Sequence, residues 1–245
     1  MREIVLDTET TGFDPFRGDR IVEIGCVELF NHMPTGETFH VYINPERGMP
    51  NEAFGVHGIG PDILEPPRDA REGEVTLLDK PVFAKVGRDF QEFIGTAKLV
   101  IHNASFDMKF LNAELDQMGL QKIPMDRAVD TLAMARQKFP GSPATLDALC
   151  RRFAIDNSNR SLHGALLDSE ILAEVYLELI GGRQPDLVLG AATPSKKSEV
   201  KDTSDWRPFP RPAPLPPRIS KEEAAAHEAL VDQIGDGALW KKLTA

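Results

Sequence analysis

Apolar residues in this chain follow two spacings, one typical of strands and one typical of helices. Three β-rich apolar runs come first, at 3–8, 20–30 and 37–43, with short gaps between them. Runs joined by such short gaps predict neighbouring strands that pair as an antiparallel meander.

Helical spacing begins at residue 82, from which apolar residues recur every three or four positions. It predicts five helices, at Val82–Phe93, Phe106–Met118, Thr131–Lys138, Leu146–Phe153 and Ala165–Ile180. A further strand, Lys98–His102, is predicted between the first two helices. This order of elements indicates an α/β fold, with a mixed sheet flanked by helices.

The folded domain is expected to end at the glycine pair 181–182, since glycine is common just past a helix. Residues 183–219 are rich in proline, which predicts an extended linker. In the remaining segment, 220–245, Ser220 opens a capping-box pattern that predicts a short helix. The predicted organisation is a domain at 1–182, a linker and a structured tail.

Residues 61–80, between the third strand and the first long helix, are charged and rich in residues that break regular structure. They predict a surface loop. No role for this loop can be read from its composition.

Length and cysteine content limit the class of protein. A chain of 245 residues holds one well-cored domain with appendages. Cys26 and Cys150 lie in apolar runs, which indicates reduced core cysteines in a cytoplasmic protein. No apolar run reaches the ~18 residues of a membrane span, so no membrane partner is expected.

The formal net charge of −10 conflicts with DNA binding, because DNA affinity comes mostly from lysine and arginine. The conflict eases if the site binds only a strand end, through metal ions and a few bases, while a partner holds the duplex. We therefore expect weak DNA binding by the isolated chain.

Four acidic residues and one histidine are candidates for a metal site. Asp7 and Glu9 are two residues apart on an apolar strand, so their carboxylates leave the same face. Asp107 follows another strand, and His163 and Asp168 lie where the last long helix begins. If these carboxylates converge, each like-charge pair at 4 Å costs about 4 kcal/mol at an effective dielectric of 20. Two divalent cations would balance them, and oxygen ligands favour Mg²⁺ or Mn²⁺.

His163 and Asp168 are five positions apart, which places them about 140° apart around an ideal helix. They therefore do not share a helix face, and His163 is expected on the loop before the helix that carries Asp168. Neutral histidine accepts a proton from water at physiological pH, so His163 is a candidate general base.

The order and local frames of these five residues resemble the DEDDh family of 3′→5′ exonucleases, and in particular its members that proofread in bacterial replication. The runs Phe54–Ile59, Thr145–Cys150 and Ser161–Asp168 extend the resemblance over residues 1–182. The resemblance implies the ribonuclease H-like fold. Each residue alone has a plain structural explanation, whereas all five in family order favour a nuclease.

The resemblance also implies a role for each residue. Asp7, Glu9 and Asp168 would ligate one metal ion. Asp7, together with Asp107 largely through water, would hold the second ion. His163 would be the general base.

Contacts with the substrate are expected at six further residues. Thr8, Thr10 and Gly12 lie in the turn beside the first ligands, where backbone amides can meet a terminal nucleotide. The other three match family positions near the terminal nucleotides: His57, Asn103 and Phe106. Phe106 suits either a stacking surface or the core.

Two motifs beyond the domain suggest protein partners. Residues 184–189, with Gln184, Leu187 and Leu189, resemble the peptide by which bacterial replication proteins bind the sliding clamp. The capped tail helix resembles the segment that docks on the catalytic (alpha) subunit of the polymerase, with candidate contacts Leu230, Ile234, Leu239 and Trp240. The alternative is an amphipathic tail that packs on its own domain. A small third core subunit is a further candidate partner without a sequence signature.

The sequence thus predicts a metal-dependent 3′→5′ exonuclease that proofreads DNA primer ends and releases nucleoside 5′-monophosphates. One alternative is a free-standing exonuclease acting on RNA or repair intermediates, since fold and ligands do not separate DNA from RNA. Another is a non-catalytic tether between polymerase and clamp. The tail motifs argue against the first alternative, and the complete set of five residues argues against the second.

Overall fold

Five strands form one mixed sheet in the order β3-β2-β1-β4-β5. Their bounds are β1 Arg2–Thr10, β2 Ile21–Phe30, β3 Met33–Tyr42, β4 Lys98–Ile101 and β5 Ala128–Asp130. The first three strands pair antiparallel, whereas β4 runs parallel to β1 and β5 runs parallel to β4. The predicted meander and mixed sheet are therefore confirmed. This computed structural model describes residues 1–158, 162–182 and 219–235.

The helices of the described residues follow the predicted order. They are α1 Asn51–His57, α2 Phe83–Ile94, α3 Ala104–Gln117, α4 Thr131–Lys138, α5 Leu146–Phe153, α6 Ala165–Leu179 and α7 Lys221–Ile234. The helices α4 and α5 have the bounds predicted from apolar spacing. Neither α1 nor β5 was predicted, because seven residues that include a glycine, and a strand of three residues, are too short to show a period.

The central strand β1 is buried on both faces. Ile4 and Leu6 pack into a core beneath α2 and α3, whereas Val5, which points the opposite way, packs into a second core with α5 and α6. Burial on both faces explains why β1 contains the consecutive apolar residues Ile4, Val5 and Leu6 rather than an alternating pattern. The end of β1 is therefore fixed from both sides.

Residues 61–80 differ from the predicted surface loop. Leu64 and Leu77 are buried and join a third apolar cluster with Val22 of β2 and Ile59. The middle of the segment, around 65–73, is largely exposed, as are residues 78–79. The sequence concealed this because two isolated leucines among charged residues have no recognisable period.

A second compact unit, Gly190–Ala245, is described at residues 219–235. Helix α7 begins at the predicted capping box, in which the Ser220 hydroxyl and the Glu223 carboxylate each accept a backbone N–H of the other residue. Leu230 and Ile234 on α7 are each 55% exposed. The predicted clamp peptide at 184–189, Leu239 and Trp240 lie outside the described residues. Among the described helices, none has the length and apolar character needed to cross a membrane.

Candidate active site

The first two carboxylates lie at the C-terminal end of β1. Asp7 and Glu9 are two residues apart on this strand and so leave the same face. The pairing of β1 with β2 shifts register between Glu9 and Thr10. Such irregularities recur beside active sites, where they redirect side chains.

Asp107 reaches the same region from α3. The parallel strand β4 ends beside β1, and Asn103 then adopts a left-handed conformation (φ 68°) that starts α3. Asp107 lies in the first turn of α3 and is only 2% exposed. It accepts a hydrogen bond of 2.7 Å from the Thr8 hydroxyl, which joins α3 to β1.

Asp168 is brought in by the close packing of α6 on β2. A side chain at Gly25 would overlap the backbone of Ala165, so glycine is required where the helix crosses the strand. The Ser169 hydroxyl donates to the Gly25 carbonyl at 2.9 Å. The Glu23 carboxylate accepts the Ala165 N–H at 3.0 Å, at the first residue of α6. These contacts place Asp168, in the first turn of α6, at the cleft.

Glu23, whose carboxylate holds the start of α6, was missed by the sequence analysis. It is 2% exposed on β2, and besides Ala165 it contacts the His40 ring at 2.7 Å. Its negative charge also contributes to the raised pKa of Asp7. A glutamate within the apolar run Ile21–Val27 was the available signal, because a carboxylate is rarely buried without a defined partner.

His163 lies two residues before α6, as the angular argument predicted. Its side chain is 48% exposed, and Nδ1 lies 3.4 Å from Oδ2 of Asp168. One ligand atom each from Glu9, His163 and Asp168 lie within 4.8 Å of one another. The His163 N–H donates to the Val56 carbonyl of α1 at 3.2 Å, so the histidine loop rests on α1.

The electrostatics of this cluster favour a cation. Burial raises the pKa of Asp7 well above its usual value, and the negative charges of Asp107, Glu9, Asp168 and Glu23 raise it further. Burial raises the pKa of Asp107 to about 7, although the hydrogen bond from Thr8 opposes that shift. Such a site is unfavourable when fully ionised unless positive charge enters it. A set of hard oxygen donors fits divalent cations such as Mg²⁺ or Mn²⁺.

Two clefts meet at this cluster. One, of about 760 Å³, contains the carboxylates together with Asn103 and His163. The other, of about 770 Å³, is lined by Thr10, Gly12 and the α1 residues Ala53, Val56 and His57. Thr8, Glu9 and Phe106 line both clefts, so the carboxylate cluster opens onto a neighbouring apolar cleft. The structure therefore brings all six expected substrate residues to these two clefts.

Several of these residues also have structural partners. The Thr10 hydroxyl donates to the Gly12 carbonyl at 2.6 Å, and a side chain at Gly12 would overlap the Asp19 carboxylate. The Asn103 N–H donates to Asp130, which also caps α4 through Leu132. Their roles in binding a substrate stay predictions.

His57 is buried and neutral. Burial lowers its pKa to about 4, although the Thr10 backbone and Glu23 favour the charged form. The Ile59 N–H donates to Nδ1 at 3.0 Å, which places the ring proton on Nε2. His57 therefore offers the apolar cleft an uncharged ring.

Three titratable residues of the first cleft were not predicted, namely His102, Arg136 and Asp147. The separate helices α4 and α5 supply Arg136 and Asp147, and no spacing rule connects them with β1. Only the tertiary arrangement shows that they share a cleft.

The fold and the site define an exonuclease. The family model described as "Exonuclease" matches residues 4–176, and the chain belongs to that family. A solved structure with the same fold is the zinc ion bound form of E. coli ExoI in complex with single-stranded DNA. Its TM-score is 0.58 at 18% identity, and the match covers 76% of this chain and 41% of that one.

Curated relatives identify the branch of the family. The DNA polymerase III subunit epsilon of Rickettsia felis is 54% identical over 187 residues, which are 75% of this chain and 76% of the relative. The protein of the same name from Escherichia coli K12 is 42% identical over 258 positions, which cover 98% of this chain and 97% of the relative. The chain therefore belongs to the DNA polymerase III epsilon-subunit family, whose function is 3′→5′ exonucleolytic proofreading.

Proposed function

We propose that the chain removes mispaired nucleotides from the 3′ end of a DNA primer, with two divalent cations, Mg²⁺ or Mn²⁺, and releases nucleoside 5′-monophosphates. The observation that carries this proposal is the convergence of Asp7, Glu9, Asp107 and Asp168 beside an exposed His163. Water adds to the phosphorus atom, the bond to the 3′-oxygen breaks, and that oxygen leaves with a proton.

The carboxylates divide between two ion positions. Asp7, Glu9 and Asp168 would hold one ion, and Asp7 with Asp107 would hold the other. Bound there, the ions would activate water and stabilise charge on the phosphate and the leaving oxygen.

His163 receives the proton of the attacking water. Its ring is half-exposed at the mouth of the cleft and close to Asp168. The Val56 carbonyl anchors the His163 backbone, so the ring can turn while its loop stays in place.

The apolar cleft would receive the terminal nucleotide. Phe106 lines both clefts and would provide an aromatic face, and Val56 and His57 also line the apolar cleft. Thr8, Thr10, Gly12 and Asn103 line these clefts and would contact the terminal sugar and phosphate. An unpaired end would enter such a cleft more readily than a paired one, so we expect frayed ends to be preferred.

The tail would join the exonuclease domain, residues 1–182, to the replication machinery. We assign Gln184, Leu187 and Leu189 to the sliding clamp, and Leu230, Ile234, Leu239 and Trp240 to the polymerase catalytic subunit. The exposure of Leu230 and Ile234 is consistent with a surface awaiting a partner. Tethering near the primer end raises the effective concentration of the site and offsets weak DNA affinity.

The proposal is tested by digestion of 5′-labelled primers that are single-stranded, paired or mismatched at the 3′ end, in DNA and in RNA. The wild-type chain is compared with the Asp7→Ala/Glu9→Ala variant in Mg²⁺ and in chelator. We expect stepwise shortening from the 3′ end that is fastest on frayed DNA and absent in the variant. Equal or better RNA trimming would favour the free-standing enzyme. If no activity is found, even with Mn²⁺ and the polymerase subunit, the non-catalytic tether between polymerase and clamp would be favoured.

A further inference from the structure

The segment at 61–80 carries an ion pair that the proposed chemistry does not use. The Arg68 guanidinium donates two parallel hydrogen bonds to Glu74, at 2.7 and 2.6 Å. Glu74 also accepts the Arg71 N–H at 2.8 Å, and the Arg68 N–H donates to the Pro61 carbonyl at 3.0 Å. Both side chains are partly buried, with Arg68 31% exposed and Glu74 18% exposed. It therefore closes the exposed middle of the segment into a fixed turn.

This turn packs on α1. The Arg68 guanidinium lies over the Phe54 ring, 5.1 Å from its centroid. Phe54 is partly buried against the third apolar cluster. A cation held over an aromatic ring by a fixed carboxylate restricts the movement of that ring and of the helix that carries it.

The base of the segment is anchored independently. The Gly60 N–H donates to the Val75 carbonyl at 2.8 Å. The Asp62 carboxylate accepts the N–H groups of Leu77 and Leu78, and Leu77 is completely buried. These bonds close the base of the segment, where Leu64 and Leu77 pack with Val22 of β2, and the tip reaches α1.

Helix α1 in turn holds the histidine loop. The Val56 carbonyl accepts the His163 N–H, and the Leu162 side chain packs so closely on Gly58 that a side chain there would displace it. Val56 and His57 of the same helix line the apolar cleft. One short helix therefore determines the position of both the histidine loop and a wall of that cleft.

We propose that Arg68 is a positioning residue for His163: paired with Glu74 and stacked on Phe54, it fixes α1, and α1 fixes the loop that carries the general base. The kinetic part of this inference rests on the proposed function, whereas the structural part does not. Loss of the Arg68 contact would loosen His163 without touching the carboxylate cluster.

Amide exchange of His163, followed by NMR in the full chain, tests the structural part. We expect Arg68→Ala to increase exchange at His163 several-fold while the amides of β1 keep their protection. Arg88→Ala, at an exposed position of α2, is the matched control and should change neither. Unchanged exchange at His163 in folded Arg68→Ala protein would overturn the proposal. If Arg68→Ala does not fold, Arg68→Lys, which lacks the two-pronged geometry, replaces it.

A double-mutant cycle on a mismatched primer tests the kinetic part. A misplaced base lowers kcat, so we expect Arg68→Ala to lower kcat about 10- to 100-fold in the wild-type background. In the His163→Ala background, Arg68→Ala should lower kcat less than about twofold, since there is no base left to position. Equal losses in both backgrounds would overturn the positioning role. If His163→Ala itself is fully active, the assignment of His163 as the base is wrong. The exchange experiment then still tests whether Arg68 holds the loop of His163 through α1.

Swapping the charges separates the ion pair from the contact with Phe54. Arg68→Glu reverses the charge beside Glu74, and the double variant Arg68→Glu/Glu74→Arg restores opposite charges but leaves no cation over the Phe54 ring. We therefore expect kcat of the double variant to stay as low as that of Arg68→Glu. Recovery of kcat in the double variant would overturn the role of the Arg68 contact with Phe54.

Discussion

The floor and the outer wall of the active cleft are built on different principles. The floor consists of carboxylates on β1, α3 and α6, set into the two main cores. Burial raises the pKa of Asp7 and of Asp107, and the neighbouring negative charges raise that of Asp7 further. The wall consists of α1 and the histidine loop, supported by a small satellite cluster and a few hydrogen bonds. The floor is well buried but electrostatically unfavourable, whereas the wall has no such repulsion and is held by few contacts. The floor therefore costs stability unless cations enter it, whereas the position of the wall depends on a small number of contacts.

The largest expected effect comes from neutralising the floor. We expect Asp7→Asn to lower the rate about 10³-fold, equal to about 4 kcal/mol of barrier, because a central ligand is lost. In chelator the same variant should have a higher Tm than the wild type, since one member of a repelling group becomes neutral. Thermal unfolding with and without Mg²⁺ checks this, with Asp89→Asn at an exposed position of α2 as the control. A lower Tm in chelator would show that the floor is not under repulsion.

Removing the base from the wall is the second largest change. We expect His163→Ala to lower kcat about 10²- to 10³-fold, within the usual contribution of general-base catalysis. Because the ring is half-exposed, the Tm should stay within a degree or two of wild type, or about 0.5 kcal/mol. Single-turnover rates at saturating metal ion separate this loss from metal binding. A variant that unfolds early would mean that the ring supports the wall.

A third change targets the joint between the floor and the sheet. We expect Gly25→Ala to destabilise the protein by about 1–3 kcal/mol, because the added methyl group forces α6 away from β2. Activity should fall as well, since Asp168 moves with α6. The control is Gly55→Ala in α1, where a side chain meets open space. Chemical denaturation measures both variants, and equal stabilities would show that α6 can shift without cost.

The sequence predicted the floor better than the wall, for a physical reason. The floor residues lie in long elements with clear periodicity, so the shared face of Asp7 and Glu9 on β1 followed from spacing alone. For the wall, spacing predicted only that His163 lies on the loop before α6. The wall depends on α1 and residues 61–80, whose contacts join isolated residues such as Arg68 and Phe54. Glu23 was missed because an acid in an apolar strand shows that a partner exists but not that the partner is the first residue of α6.

The smallest expected effect is the contribution of His57 to the pH dependence of the free energy of unfolding. His57 in the wall has a pKa of about 4 when folded, below the ordinary 6.5, so the unfolded chain binds a proton that the folded chain does not. His57 therefore lowers the free energy of unfolding as pH falls through 6.5, and this loss of stability stops growing below about pH 4. Between pH 7 and pH 5.5 this amounts to about 1 kcal/mol. Denaturation of the wild type and of His57→Gln at both pH values isolates it, since the carboxylates of the floor titrate in both proteins. An equal pH dependence in the two proteins would mean that His57 is protonated as easily in the wall as in water.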